Sequence, residues 1–170
     1  MQDFEIIYQK YRHLVYNLAL QYVQNSEDAA EITQDVFVKI YQNLAKFQAQ
    51  SQLKTWIYRI SINTCLDFLK ARRTRKRWHF WSAMSLSTTN TDIPHFDHPG
   101  VALEQKEALA KIFRCIHQLP EKQKNVLILL KIEQMSQQEV AEILEMSVKA
   151  VESLFHRAKK NLALLLENEG

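Results

Sequence analysis

Residues Leu53–Arg77, LKTWIYRISINTCLDFLKARRTRKR, contain neither glycine nor proline and carry apolar side chains at helical spacing. At about 100° per residue, Tyr58, Ile62, Cys65 and Leu69 fall on one stripe, with Ile57 and Phe68 beside it. A stripe of this kind must be buried against other elements. The opposite face carries Trp56, Ile60, Asn63 and Asp67, flanked by Arg59 and Lys70. An indole, an amide and cations together suit stacking on bases and bonding to their edges. From Lys70 to Arg77 the segment places six cations in eight positions: Lys70, Arg72, Arg73, Arg75, Lys76 and Arg77. Such a cluster suits phosphates, although a basic helix end also complements the helix dipole. Both a solvated face and a nucleic-acid surface are open on this stretch alone.

The rest of the chain points to the same secondary structure. It has two glycines and three prolines in 170 residues, and no period-2 run of β-branched residues, so an all-α protein with short turns is expected. An apolar content of 46% fits a folded chain. No run of apolar residues is long enough to span a bilayer and the first residues lack a signal-peptide pattern, so a cytoplasmic protein is expected. Cys65 and Cys115 fit neither a disulfide framework nor zinc spacing and are expected as buried thiols. Charge is uneven: residues 1–77 carry 12 Lys/Arg against 7 Asp/Glu, whereas residues 101–170 carry 10 of each.

Three regions follow. Phe4–Val23 reads as a first helix, with Ile7, Tyr11, Leu14, Val15, Leu18 and Tyr22 inside. Ser26 is expected to cap a second helix ending near Leu44. Its core side holds Ala29, Ile32, Val36 and Ile40, and its outer side Glu31, Gln34, Asp35 and Lys39, with Phe37 and Tyr41 nearby. The polar loop from Lys46 to Gln52 surrounds Phe47, and Ser51 is placed to cap the Leu53 helix. These helices form a domain over residues 1–77. Residues 78–100 are Ser/Thr/Asn-rich, with two prolines and no Lys or Arg, and read as a flexible linker. Trp78, Phe80 and Trp81 within it are candidates to dock on the first domain, and His95 and His98 make no metal site without a third ligand. Residues 101–170 form a second helical domain: Leu103–Leu119, a helix started by Pro120, and a helix-turn-helix.

In SQQEVAEILEMSVKAVESLFHRAKKN, Ser136 forms a capping box with Glu139 and Ser147 caps the last helix. Ala141 allows a close crossing, and Val148, Val151, Phe155, Ala158 and Leu162 face inward. Lys149, Ser153, His156 and Lys160 face outward, with Arg157 at the margin, a cationic, hydrogen-bonding stripe of the kind that reads a major groove. Glu145 stands at the turn position where glycine is usual.

With both surfaces in one chain, the sequence resembles bacterial sigma factors of the sigma-70 family, in the small extracytoplasmic-function group that keeps only regions two and four. DAAEITQDVFVKIYQNLAKF and LKTWIYRISINTCLDFLKARR are similar to region two. LPEKQKNVLILLKIEQMSQQEVAEIL and VESLFHRAKKNL are similar to region four. The resemblance implies that Glu31, Gln34, Asp35, Val36 and Phe37 dock the clamp helices of the largest subunit of core RNA polymerase, region four meeting the flap of the second largest. It implies that Phe47, Ser51, Trp56, Arg59, Ile60, Asn63, Asp67, Arg72 and Arg73 meet the minus-ten promoter DNA, with the Lys46–Gln52 loop receiving a flipped base. Lys149, Ser153, His156, Arg157 and Lys160 would meet the minus-thirty-five element. Glu152 and Leu154 replace a frequent Lys and Arg there, which weakens the expected hold on phosphate. The linker, if extended, reaches roughly 75–80 Å, and two duplex turns span about 68–72 Å. An anti-sigma factor, often membrane-anchored in this group, is the implied regulator. No enzyme activity, cofactor, metal or small-molecule substrate is implied. The alternative is a stand-alone helix-turn-helix regulator, which would leave Trp56 and Asn63 unexplained.

Overall fold

The computed structural model of the chain describes residues 4–47, 52–83 and 103–168, and for 76–83 and 103–106 the backbone alone. Every regular element among these residues is helical: α1 (Phe4–Val23), α2 (Ser26–Leu44), α3 (Leu53–Ala83), α4 (Leu103–Gln118), α5 (Glu121–Leu127) continued by a π-helical turn (Ile128–Ile132), α6 (Gln137–Ile143) and α7 (Val148–Asn168). The all-α expectation and its two helical domains hold. The chain divides into Met1–Asp97 and His98–Gly170, a division inside the expected linker. Helix α3, however, continues to Ala83, past Arg77. Ser51, His95 and His98 lie outside the described residues, as do the side chains of Lys76, Arg77, Trp78, Phe80 and Trp81. No helix among the described residues is long and apolar enough to cross a membrane.

In the first unit α3 packs against both α1 and α2. Its inner stripe is buried over Ile57, Tyr58, Ile62 and Cys65, with Ser61 and Thr64 between them, while Phe68 and Leu69, expected on the same side, are half-buried. Each large apolar side chain so buried contributes about 1.5–3 kcal/mol. Ser61 and Thr64 satisfy their hydroxyls on the helix itself, bonding the carbonyls of Ile57 and Ile60 at 2.8 and 2.7 Å. Leu18, Tyr22, Ile32, Val36 and Ile40 complete the core from α1 and α2. The cap of α2 is Asn25 rather than Ser26: its Oδ1 accepts the Asp28 N–H at 2.8 Å. An Asx side chain in extended backbone reaches that amide better than a serine already inside the helix.

The second unit packs α5 and α6 on α7, with α4 alongside. Val126, Ile128, Leu129, Val140 and Val151 are fully buried, while Leu130 is only half-buried. The start of α5 is unexpectedly interior: Gln123, Lys124 and Asn125 are buried, and Gln123 Oε1 accepts from Asn161 Nδ2 of α7 at 2.9 Å. On α7, Val151 and Ala158 are buried and Phe155 and Leu162 half-buried. Val148 is exposed, against expectation; as the first residue of the helix it stands about 60° round from Val151.

Glycine is scarce, and the chain turns out of three helices without it. Gln24, Gln134 and Glu145 have φ of 55°, 54° and 54°. A residue with a Cβ in this region costs roughly 1–2 kcal/mol. After the π turn, Gln134 lets the Met135 N–H reach back to the Leu129 carbonyl at 3.0 Å, closing the carbonyls that a helix end leaves open. Gln134→Gly is expected to raise the stability of the protein by about 0.5–1 kcal/mol, read from urea unfolding followed by circular dichroism. A fall in stability would show that the Gln134 side chain contributes more than its backbone costs.

Candidate nucleic-acid interface

The packing of α3 leaves its other face beside the end of α2, where a cleft of about 340 Å³ opens. Its aromatic wall is Phe47 and Trp56, whose ring centroids lie 4.9 Å apart at 36°. Ile60, Asn63 and Thr64 of α3 form one side, and Lys39, Asn43 and Lys46 the other. Trp56, Ile60 and Asn63 thus line one surface, as their spacing requires. Lys46 opens the loop that the resemblance links to a flipped base, whereas Lys39 and Asn43 were not linked to this face from sequence, although the three follow i, i+4, i+7 spacing.

The polar groups of the cleft are held in place. Lys39 Nζ donates to Thr64 Oγ1 at 3.1 Å and stands 3.9 Å from Asp67 Oδ2. Both members of that ion pair are substantially exposed, so it contributes little to stability. Asn43 Nδ2 donates to the Lys39 carbonyl at 2.8 Å, which leaves its Oδ1 directed elsewhere. A cleft with an indole wall, ammonium donors and the amides of Asn43 and Asn63 is suited to hold an unstacked base. Asp67 faces Lys39 and, being an acid, tempers the local positive charge.

The basic end of α3 divides into two kinds of residue. Arg73 and Lys70 are exposed. Arg72 is committed within the fold: its Nη1 donates to Asp28 Oδ2 at 2.7 Å, tying α3 to the first turn of α2. Sequence spacing grouped Arg72 with the DNA-facing cations, but its partner lies 44 residues away, beyond the reach of local pattern. Arg59 is half-buried at the margin of the cleft face.

On α2, Glu31, Gln34 and Asp35 are exposed. Val36 and Phe37, expected beside them as docking residues, are 0% and 4% exposed and belong to the core. The Phe37 ring packs edge-on against Tyr8 at 4.8 Å and Phe4 at 6.3 Å. The apolar members of the exposed face are instead Val38 and Tyr41, 53% and 68% exposed, which with Gln34 keep i, i+4, i+7 spacing.

In the second unit, Ser136 and Glu139 form the full capping box, and Ser147 Oγ accepts the Ala150 N–H at 3.2 Å. Glu145 makes the left-handed turn between them. All five groove-facing candidates, Lys149, Ser153, His156, Arg157 and Lys160, are exposed on α7. Arg157 Nη2 donates to Ser153 Oγ at 3.1 Å, so these two side chains are arranged before any ligand arrives.

These features define an all-α protein with an aromatic, basic cleft in one unit and a capped helix-turn-helix with an exposed cationic stripe in the other. Residues 7–75 match the family Sigma-70 region 2, and residues 109–162 match Sigma-70, region 4. The chain is 29% identical over 166 residues to the RNA polymerase sigma-H factor of Pseudomonas aeruginosa, covering 96% of this chain and 86% of that protein. It is also 29% identical over 168 residues to the ECF RNA polymerase sigma-E factor of Haemophilus influenzae, covering 98% of this chain and 86% of that one. Among solved structures, the sigma factor RpoE in complex with the anti-sigma factor NepR from Bartonella quintana superposes with a TM-score of 0.70 at 21% identity, covering 98% of each chain. CnrH in complex with the cytosolic domain of CnrY gives 0.68 at 22% identity, covering 98% of this chain and 89% of that one. The chain belongs to the sigma-70 family of transcription initiation factors, in its extracytoplasmic-function group.

The division of the basic cluster is testable. Arg72→Ala and Asp28→Ala should each destabilise the protein, and the double variant should lose clearly less than the sum of the two. Arg73→Ala should leave unfolding unchanged. A fully additive double variant, read from urea unfolding, would show that the pair is not coupled.

Proposed function

We propose that this chain binds core RNA polymerase through α2, holds the opened minus-ten strand in the α3 cleft and reads the minus-thirty-five element with α7. The observation that carries this reading is the pairing of two unlike surfaces in one chain. A helix-turn-helix suits intact duplex, whereas a cleft with an aromatic wall suits an unstacked base. A protein that only bound duplex would have no use for the second. Its role is initiation rather than catalysis.

In this reading Trp56 stacks where a base pair has parted and Asn63 bonds an exposed base edge. The two are seven residues apart, so they face the same way about 10 Å apart along the axis. Lys39, Asn43 and Lys46 meet the flipped base or its phosphate, and Phe47 backs the indole. Stacking is worth roughly 1–3 kcal/mol per base, comparable to the few kcal/mol needed to extrude one. Binding to the single strand can therefore drive the opening. Arg73, with Lys70, follows the adjoining backbone. The docking face for polymerase is Glu31, Gln34 and Asp35 with Val38 and Tyr41 as its apolar part. A protein antagonist of the anti-sigma class controls the chain, a role supported by the partners in the two similar structures.

Two outcomes test this. Trp56→Ala should leave polymerase binding and closed-complex formation near normal but impair strand separation, seen as lost permanganate reactivity of unpaired thymines. A pre-melted bubble template should restore much of the transcription. Normal opening on duplex would assign Trp56 to packing alone. For docking, Val38→Glu or Asp35→Ala should weaken affinity for core polymerase about tenfold at unchanged helicity, a loss of about 1.4 kcal/mol. Phe37→Ala should instead lower folding stability by about 3–5 kcal/mol. Unchanged core affinity in both surface variants would move the docking face elsewhere.

A further inference from the structure

One feature of the second unit is not used by the groove-facing stripe. Lys131 and Lys159 both point at the half-buried ring of Phe155, their Nζ atoms 5.4 and 4.9 Å from its centroid. Lys159 and Phe155 are one turn apart on α7, and Lys131 comes from the π-helical turn Ile128–Ile132. Such turns often mark functional sites. Both lysines are exposed, and among the described residues neither ammonium has a carboxylate partner.

Their position relative to the stripe is what gives them a use. At 100° per residue, Lys159 and Arg157 stand about 160° apart around α7, with Ser153, His156 and Lys160 between them. A helix with side chains is about 10–12 Å across, and the major groove is about 12 Å wide. A helix seated there meets a phosphate backbone on each flank. Arg157 supplies the cation for one. The other flank begins with the exposed Glu152, which repels phosphate, and the cations gathered at the Phe155 ring on that side are Lys159 and Lys131.

We propose that Lys131 and Lys159 form a phosphodiester-binding site, spaced by the Phe155 ring, for the DNA strand on the side of α7 opposite Arg157. This rests on the reading of α7 as the minus-thirty-five helix. The ring orders two long side chains before binding through cation–π attraction, and cations on a duplex backbone release counterions without reading sequence. The pair holds the helix in register while Ser153 and His156 select bases.

The test uses holoenzyme assembled from core polymerase and the full chain, with duplex carrying the promoter it selects, across roughly 50–200 mM salt. Lys131→Ala and Lys159→Ala should each reduce the salt slope by about 0.9 and weaken binding equally on all promoter sequences. Lys131→Arg should restore it. Lys149→Ala and Lys160→Ala, on the stripe itself, are the reference. A slope that falls for the stripe variants but not for both Lys131→Ala and Lys159→Ala overturns the flank site and leaves the function standing. A slope that falls in none of the four overturns the site and the assignment of α7 together.

Discussion

The burial of one stripe of α3 fixes nearly everything else in the first unit. Once Ile57, Tyr58, Ile62 and Cys65 are packed against α1 and α2, the helix cannot rotate without exposing them. Trp56, Ile60 and Asn63 are then held on the outer side, beside the end of α2. The cleft is a consequence of that packing rather than a separate invention. Its walls come from α2, α3 and the residues Lys46 and Phe47 just after α2, and the Lys39–Thr64 bond ties one wall to the other. Polar groups placed in advance cost less to order when a ligand binds.

The second unit reaches precision by another route. Short helices need defined ends, and α6 and α7 receive theirs from Ser136, Glu139 and Ser147. The turn between them bends through Glu145 at positive φ. A glycine would bend there at lower cost but would also loosen the unfolded chain. Helix α7 is thus aimed by caps and a strained turn, while its outward residues take little part in the core. Side chains on that outward face can vary without unfolding the frame.

Much of this was legible in the sequence because it depends on local pattern. Helical period placed Trp56 with Asn63 and Lys149 with Ser153, and capping rules placed Ser136 and Ser147. What was not legible depends on where a second helix lies. Helical period put Val36 on the core side of α2, where it is buried, and only resemblance gave it a docking role; Phe37 stood beside the outer face in sequence, and Phe4 and Tyr8 of α1 cover it in the fold. Arg72 looked like one more phosphate cation until Asp28 was found beside it. Lys39 and Asn43 gained meaning only when α3 brought Trp56 next to them. A charge run states how many cations a surface has but not which of them are already paired.

In the proposed function two surfaces, one for duplex and one for an opened strand, act together on polymerase. Core RNA polymerase supplied with this chain and a genomic library of duplex templates tests it most directly, with run-off transcripts sequenced at their 5′ ends. Discrete start sites are expected, absent with core alone, sharing two upstream elements separated by about two turns of duplex. No added start sites, together with dimeric binding of the free chain to intact duplex, would contradict it.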